Sequence, residues 1–165
     1  MTLAAHLPAL QVVLPLAAAP ICALLRWRSA AWAVAVLISW LSLLAAIGVF
    51  SLVNEQGVFA YSMGGWEAPF GIEFRIDVLN ALMLLLVTGV NAVVITWSRL
   101  SVRQEIDEWR VPMFYAAWLL CVAGLVGIAI TGDVFNIFVF LEISSLASYI
   151  LVPCGKDRRS LGAAY

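Results

Sequence analysis

The chain has 165 residues, of which 64% are hydrophobic and only 12% are charged, and its formal net charge at pH 7 is −1. Soluble domains are about 45–50% apolar and about 25% charged, so this composition excludes an ordinary water-soluble domain. The near-zero net charge gives no sign of a nucleic-acid-binding surface. A mean hydropathy of +1.03 instead favours an integral membrane protein.

Five segments are long and apolar enough to cross a bilayer, which takes about 20 mainly apolar residues. The segment nearest the N-terminus contains Pro8, Pro15 and Pro20, which membrane helices tolerate when neighbouring groups satisfy the freed carbonyls. No basic region precedes it, so a cleaved signal peptide is not expected. The sequence therefore predicts an all-α integral membrane protein, a single membrane domain over residues 1–165. Its five transmembrane helices are predicted at about 3–25, 30–53, 78–97, 113–131 and 134–152.

The positions of the basic residues predict how these helices cross the membrane. With five helices, eight of the nine Lys and Arg residues fall on one side, and Arg75 alone falls on the other. The positive-inside rule places the larger group in the cytoplasm. We therefore expect a multi-pass protein of the cell (inner or plasma) membrane with its N-terminus outside and its C-terminus in the cytoplasm. The eight residues are Arg26, Arg28, Arg99, Arg103, Arg110, Lys156, Arg158 and Arg159.

The two external connections differ in length. Helices 4 and 5 are separated only by a tight turn at Thr131, Gly132 and Asp133, whereas about 24 residues separate helices 2 and 3. That longer connection contains two segments rich in β-branched and aromatic residues, 58–61 and 72–76, with a Gly-Gly pair between them. This pattern predicts a short external β-hairpin.

Glu142 is the candidate functional residue, because it is the only ionisable residue well inside any of the later helices. It lies nine residues after Asp133, near the middle of the hydrocarbon core, where a carboxyl group costs about 2.5 kcal/mol or more on insertion scales. Helical spacing places Ser145 and Tyr149 on the same face as Glu142. Asp133 is expected to cap the fifth helix. The alternative is that Glu142 stays protonated and only hydrogen-bonds another helix.

The remaining polar side chains suggest less chemistry. His6 is expected near the outer interface, and Asn80 and Asn91 are expected to hydrogen-bond between helices. The three cysteines are far apart and form no metal-binding pattern, so we expect neither a metal site nor a cofactor. The sequence also contains no phosphate loop or nucleophile motif that would indicate a membrane enzyme.

Two long stretches resemble one known family. TGDVFNIFVFLEISSLASY (residues 131–149) is similar to the fifth-helix region of the D subunit of Mrp-type monovalent cation/proton antiporters, and GGWEAPFGIEFRIDVLNALMLLLV (residues 64–87) is similar to the start of its third helix. The wider superfamily includes the antiporter-like subunits of respiratory complex I and of membrane-bound hydrogenases.

The resemblance implies a function for Glu142. In that family the matching glutamate belongs to the proton path and works with a lysine on a later helix. Members act in multisubunit membrane complexes that exchange Na+ or another monovalent cation for protons. Family members continue well beyond the fifth helix, and this chain has no lysine inside a predicted span. We therefore expect an N-terminal portion of such a subunit, with a partner chain that supplies the later helices.

The sequence is also consistent with two other hypotheses. In the first, the chain is a piece of an antiporter-like subunit from a complex I or hydrogenase-type assembly. In the second, it is a non-transporting scaffold or a truncated membrane subunit. The resemblance favours the antiporter subunit, because the amino-acid sequence of the fifth helix is most similar to that family.

Overall fold

A computed structural model describes residues 6–66 and 71–155 of the chain. It contains five helices that are long and apolar enough to span a membrane, which confirms the predicted number. Short connections join them in sequence order, apart from the longer segment between the second and third. The helices are α1 (Leu7–Leu24), α2 (Arg28–Gln56), α3 (Val78–Glu105), α4 (Val111–Ile130) and α5 (Val134–Leu151).

The connection between α2 and α3 forms two short strands, β1 (Phe59–Ser62) and β2 (Glu73–Ile76). They pair antiparallel, with Phe59 opposite Ile76 and Ser62 opposite Glu73. Chain reversal begins at Gly57, whose φ of 79° is a left-handed conformation that glycine adopts without steric cost. Residues 67–70, near the tip of this connection, lie outside the described residues.

The strands close one end of the bundle. Phe74 and Ile76 are fully buried in the core, and Phe74 forms an isolated antiparallel bridge with Thr131 in the α4–α5 turn. In the same turn, Gly132 donates its backbone N–H to the Glu73 carbonyl at 3.0 Å. At the start of α1, the Nδ1 atom of His6 lies 2.8 Å from the Tyr61 hydroxyl oxygen. The strands therefore connect the ends of α1, α3, α4 and α5.

Helix α4 lies at the centre of the bundle and packs against the other four helices. In its most apolar 18-residue stretch, 56% of the residues are buried, whereas the corresponding share for α5 is only 17%. Helix α5 packs chiefly against α4. Most of its surface is consequently not covered by the other described helices.

The helix interfaces combine small residues with hydrogen bonds, as is usual for membrane bundles. Asn91 on α3 donates to the Ser39 hydroxyl on α2 at 2.8 Å and accepts from the Trp118 indole on α4 at 2.7 Å. Asn80 donates to the Ala129 carbonyl on α4. The prediction that both asparagines hydrogen-bond between helices is confirmed.

The opposite end of the bundle carries most of the positive charge. Helix α3 continues eight residues beyond the apolar segment predicted from hydropathy and carries Arg99 and Arg103 in its extension. The extension persists because residues 98–105 contain no Pro or Gly, and hydropathy detects only the part of a helix that suits lipid. Arg28 at the start of α2 pairs with Glu108 before α4. The cytoplasmic orientation of this end stays a prediction.

Candidate functional site

The α4–α5 turn fixes the residue at which helix α5 begins, because the side chain of Asp133 caps the helix there. The Asp133 side chain accepts a hydrogen bond from the backbone N–H of Phe135 at 3.1 Å and another from the Asn136 amide at 2.9 Å. This carboxylate caps α5 as the sequence predicts, and it satisfies an amide that the helix itself leaves unpaired. The depth of every later α5 residue is set from this point.

The rotation of α5 about its axis is set by a glycine contact with α4. An added Cβ atom at Gly124 would lie 2.7 Å from the Phe140 carbonyl oxygen and 2.7 Å from the Ser144 Cβ. A Cβ atom at Gly127 would overlap the Phe140 ring. Only glycine permits this approach, so Phe140 and Ser144 face α4. Ser148 also faces α4 and lies 3.7 Å, Oγ to Sγ, from Cys121.

Glu142 consequently points away from α4. At about 100° per residue, it lies about 200° around α5 from Phe140, on the opposite face. Glu142, Ser145 and Tyr149 are all exposed on this face, as is Phe138 one turn before Glu142. We call these four residues the α5 stripe. The structure places the three residues predicted to act together on one surface, and Asp133 lies at the end of the helix rather than beside them.

The carboxyl group of Glu142 lies at the middle of α5, since it is the ninth residue of the eighteen from Val134 to Leu151. Within residues 6–66 and 71–155, no side chain or backbone group forms a hydrogen bond or ion pair with it. An ionisable group at this depth is costly without a partner or water. The α5 stripe therefore presents an exposed carboxyl group that has no partner among the described residues.

The other polar candidates are occupied by structural contacts. His6 contacts Tyr61 at the end of the bundle that carries the strands. Cys22 and Cys154 are buried, and all three cysteines are free. In the part of the chain that the structure describes, no group of three His, Cys, Asp or Glu residues could hold a metal ion.

One buried polar contact was missed by reasoning from the sequence. Gln11 on α1 is fully buried and donates its amide to the Ser42 carbonyl on α2 at 3.0 Å. The Gln11 side-chain oxygen and the Ser42 hydroxyl have no partner among the described residues. The sequence does contain a signal for this contact, because Gln11 is the one polar side chain in a helix that is otherwise apolar.

Comparison with curated proteins finds similar chains in two kinds of complex. The N subunit of NADH-quinone oxidoreductase from Desulforudis audaxviator is 40% identical over 97% of this chain. The D subunit of a probable K(+)/H(+) antiporter from Rhizobium meliloti is 36% identical over 92%, and the D subunit of a Na(+)/H(+) antiporter from Alkalihalophilus pseudofirmus is 33% identical over 72%. The chain spans only 32%, 28% and 24% of these relatives. No protein-family model matches it.

Solved structures show the same fold in two assemblies. A chain of the archaeal membrane-bound sulfane sulfur reductase, a respiratory membrane complex, superposes with a TM-score of 0.87 at 29% identity. A chain of the Mrp complex from Dietzia sp. DQ12-45-1b superposes with a TM-score of 0.84 at 25% identity. The matches cover 96% and 99% of this chain but only 32% and 30% of those chains.

Proposed function

This chain is homologous to the D subunits of cation/proton antiporters and to the N subunit of NADH-quinone oxidoreductase, and on that premise we propose that it is an N-terminal portion of a proton-translocating antiporter-like subunit. In this proposal the subunit works in a multisubunit antiporter of the cell membrane that exchanges Na+ or another monovalent cation for protons. Glu142 carries the proton at the middle of the membrane. The chain acts as a transporter part, and any redox chemistry belongs to other subunits.

The observation that carries the proposal is the position of Glu142. Its carboxyl group lies at the middle of a membrane helix, on the face turned away from α4, and it has no partner among the described residues. A carboxyl group that served only to fix helix packing would be expected to face α4, where the contacts are close. The exposed position supports a group that exchanges protons with something outside this bundle.

We further propose that additional membrane helices cover the α5 stripe and bring a cation to Glu142. A positive charge near the carboxylate favours its ionised form, and removal of that charge favours proton uptake. The sequence resemblance implies a lysine for this role. Ser145 and Tyr149 would extend the polar surface along α5 by one and two turns from Glu142, so that water or hydroxyl groups could relay the proton.

A second candidate function is favoured by a specific comparison. The 40% identity to the N subunit of NADH-quinone oxidoreductase exceeds the 33–36% identity to the two antiporter subunits. In that case the same Glu142 chemistry would be driven by electron transfer elsewhere in the complex. The two candidates differ in the energy source, and the polypeptides that co-purify with the chain from its native membrane distinguish them.

The test is Glu142→Gln in the native complex, assayed in inverted membrane vesicles with a fluorescent probe of the pH gradient. We expect loss of proton movement after addition of Na+ or K+, or of a respiratory electron donor, with unchanged amounts of assembled complex. Glu55→Gln, at the exposed end of α2, is the matched control and should retain transport. Unchanged transport by Glu142→Gln would refute the proton role and favour a scaffold.

A further inference from the structure

A cavity of about 660 Å³ opens at the basic end of the bundle. It lies between the end of α1, the start of α4 and the short 3-10 turn that follows α5. A groove of about 430 Å³ adjoins it and shares Arg26, Glu108 and Trp109 with it. We call the two together the headgroup cavity. Under the positive-inside prediction, it opens at the cytoplasmic surface of the membrane.

The described residues that line the headgroup cavity carry more positive than negative charge. Among them are three arginines, Arg26, Arg28 and Arg110, and one acidic residue, Glu108. Glu108 pairs with Arg28, whereas no salt bridge with a described residue neutralises Arg26 or Arg110. Two of the three arginines are therefore not paired with a carboxylate of the described residues, and arginine binds phosphate oxygens through paired N–H groups.

The walls of the cavity also include exposed apolar side chains. Leu24, Met113 and Trp109 line it and are 83%, 51% and 74% exposed. Trp109 also lies under the Arg110 guanidinium, whose Cζ is 4.6 Å from the ring centroid. Tryptophan and arginine at a helix end are typical of the level of the lipid headgroups. A small free anion would gain nothing from these walls, whereas an acyl chain would cover them.

We propose that the headgroup cavity binds one anionic phospholipid of the adjacent leaflet. The phosphate lies between Arg26 and Arg110, and the glycerol and the first part of an acyl chain lie along Leu24 and Met113. The lipid would link the α1–α2 connection to the start of α4. Its binding does not require that Glu142 carry protons, so this proposal and the proposed function can fail separately.

The test uses the chain purified with its native partners and placed in phosphatidylcholine nanodiscs with a trace of photoactivatable phosphatidylglycerol. Mass spectrometry of the peptides that contain residues 24–28 and 108–113 measures labelling, and unlabelled phosphatidylglycerol competes for it. We expect Arg26→Gln and Arg110→Gln each to weaken competition about fivefold, which corresponds to about 1 kcal/mol per arginine. Arg26→Lys, which keeps the charge but loses the paired N–H donors, should weaken competition less than Arg26→Gln does.

Arg103→Gln is the matched control, because it makes the same charge change at the same end of the bundle without lining the headgroup cavity. Its competition curve should lie within about twofold of the unmodified protein, since distant surface charges are screened. Should Arg110→Gln prove unstable, Arg26→Gln still decides the matter, because Arg26 lies in an exposed connection.

Four outcomes would overturn the proposal. Arg103→Gln could weaken binding as much as Arg26→Gln does, which would mean only general attraction to a basic surface. Photoactivatable phosphatidylcholine could label the same peptides equally. Inorganic phosphate could compete at the same concentration as the lipid, which would indicate a free-anion site. Finally, both peptides could be protected from lipid and cross-link instead to a further polypeptide, which would then be what fills the cavity.

Discussion

The close contact between α4 and α5 makes Gly124→Ala the most informative stability test. The added methyl carbon would lie 2.7 Å from the Phe140 carbonyl oxygen, 2.7 Å from the Ser144 Cβ and 2.9 Å from the Ser144 backbone nitrogen. Carbon atoms prefer separations of about 3.5–4.0 Å, so α5 must retreat from α4 by about 1 Å. Because two of the three atoms belong to the backbone, no side-chain rotation relieves the overlap.

Overpacking of this kind costs about 1–3 kcal/mol. We therefore expect Gly124→Ala to lower the free energy of unfolding by that amount, measured by titration with sodium dodecyl sulfate in mixed micelles. Displacement of α5 should also move Glu142 and reduce transport in the vesicle assay. The transport loss would follow from geometry alone, since position 124 carries no chemistry.

Gly89→Ala on α3 provides the control. Its added methyl would meet only the Leu43 Cδ1 atom at 3.9 Å, which is an ordinary contact. There the exchange of glycine for alanine should be neutral or stabilising by about 0.4–1 kcal/mol, because alanine restricts the unfolded chain. If the two variants changed stability equally, the inference that Gly124 sets the position of α5 would be wrong.

Two further predictions concern polar contacts. Asp133→Ala removes the cap that accepts the Phe135 N–H and should destabilise the protein by about 0.5–2 kcal/mol in the same titration. Asp133→Asn should preserve most of the cap, so equal losses of stability in the two variants would contradict the capping role. Asn91→Leu removes the hydrogen bonds to Ser39 and Trp118 and should cost about 0.6–1.7 kcal/mol per bond, together with a change in indole fluorescence at Trp118; no change in either signal would exclude this network.

Much of the fold could be predicted from the sequence. Hydropathy identified the five helices because lipid requires long apolar segments. The charge pattern predicted that five arginines lie at one end of the bundle, and the structure places them there: Arg26, Arg28, Arg99, Arg103 and Arg110. Alternating apolar residues and a glycine pair indicated the strands between α2 and α3. Hydropathy did not detect the extension of α3 to Glu105, because polar helical turns outside the lipid resemble any other polar segment.

The sequence likewise predicts one part of the candidate site, and the tertiary structure decides the other part. The helical repeat by itself determined that Glu142, Ser145 and Tyr149 share one face, and Asp133 fixed their depth. Only the tertiary structure decided that this face is turned away from α4, through the contact of Gly124 with Phe140 and Ser144. The physical reason is that lipid and protein core are equally apolar. A membrane helix such as α5 therefore shows no amphipathic pattern that reveals its buried side, and that side is chosen by how closely two backbones can approach.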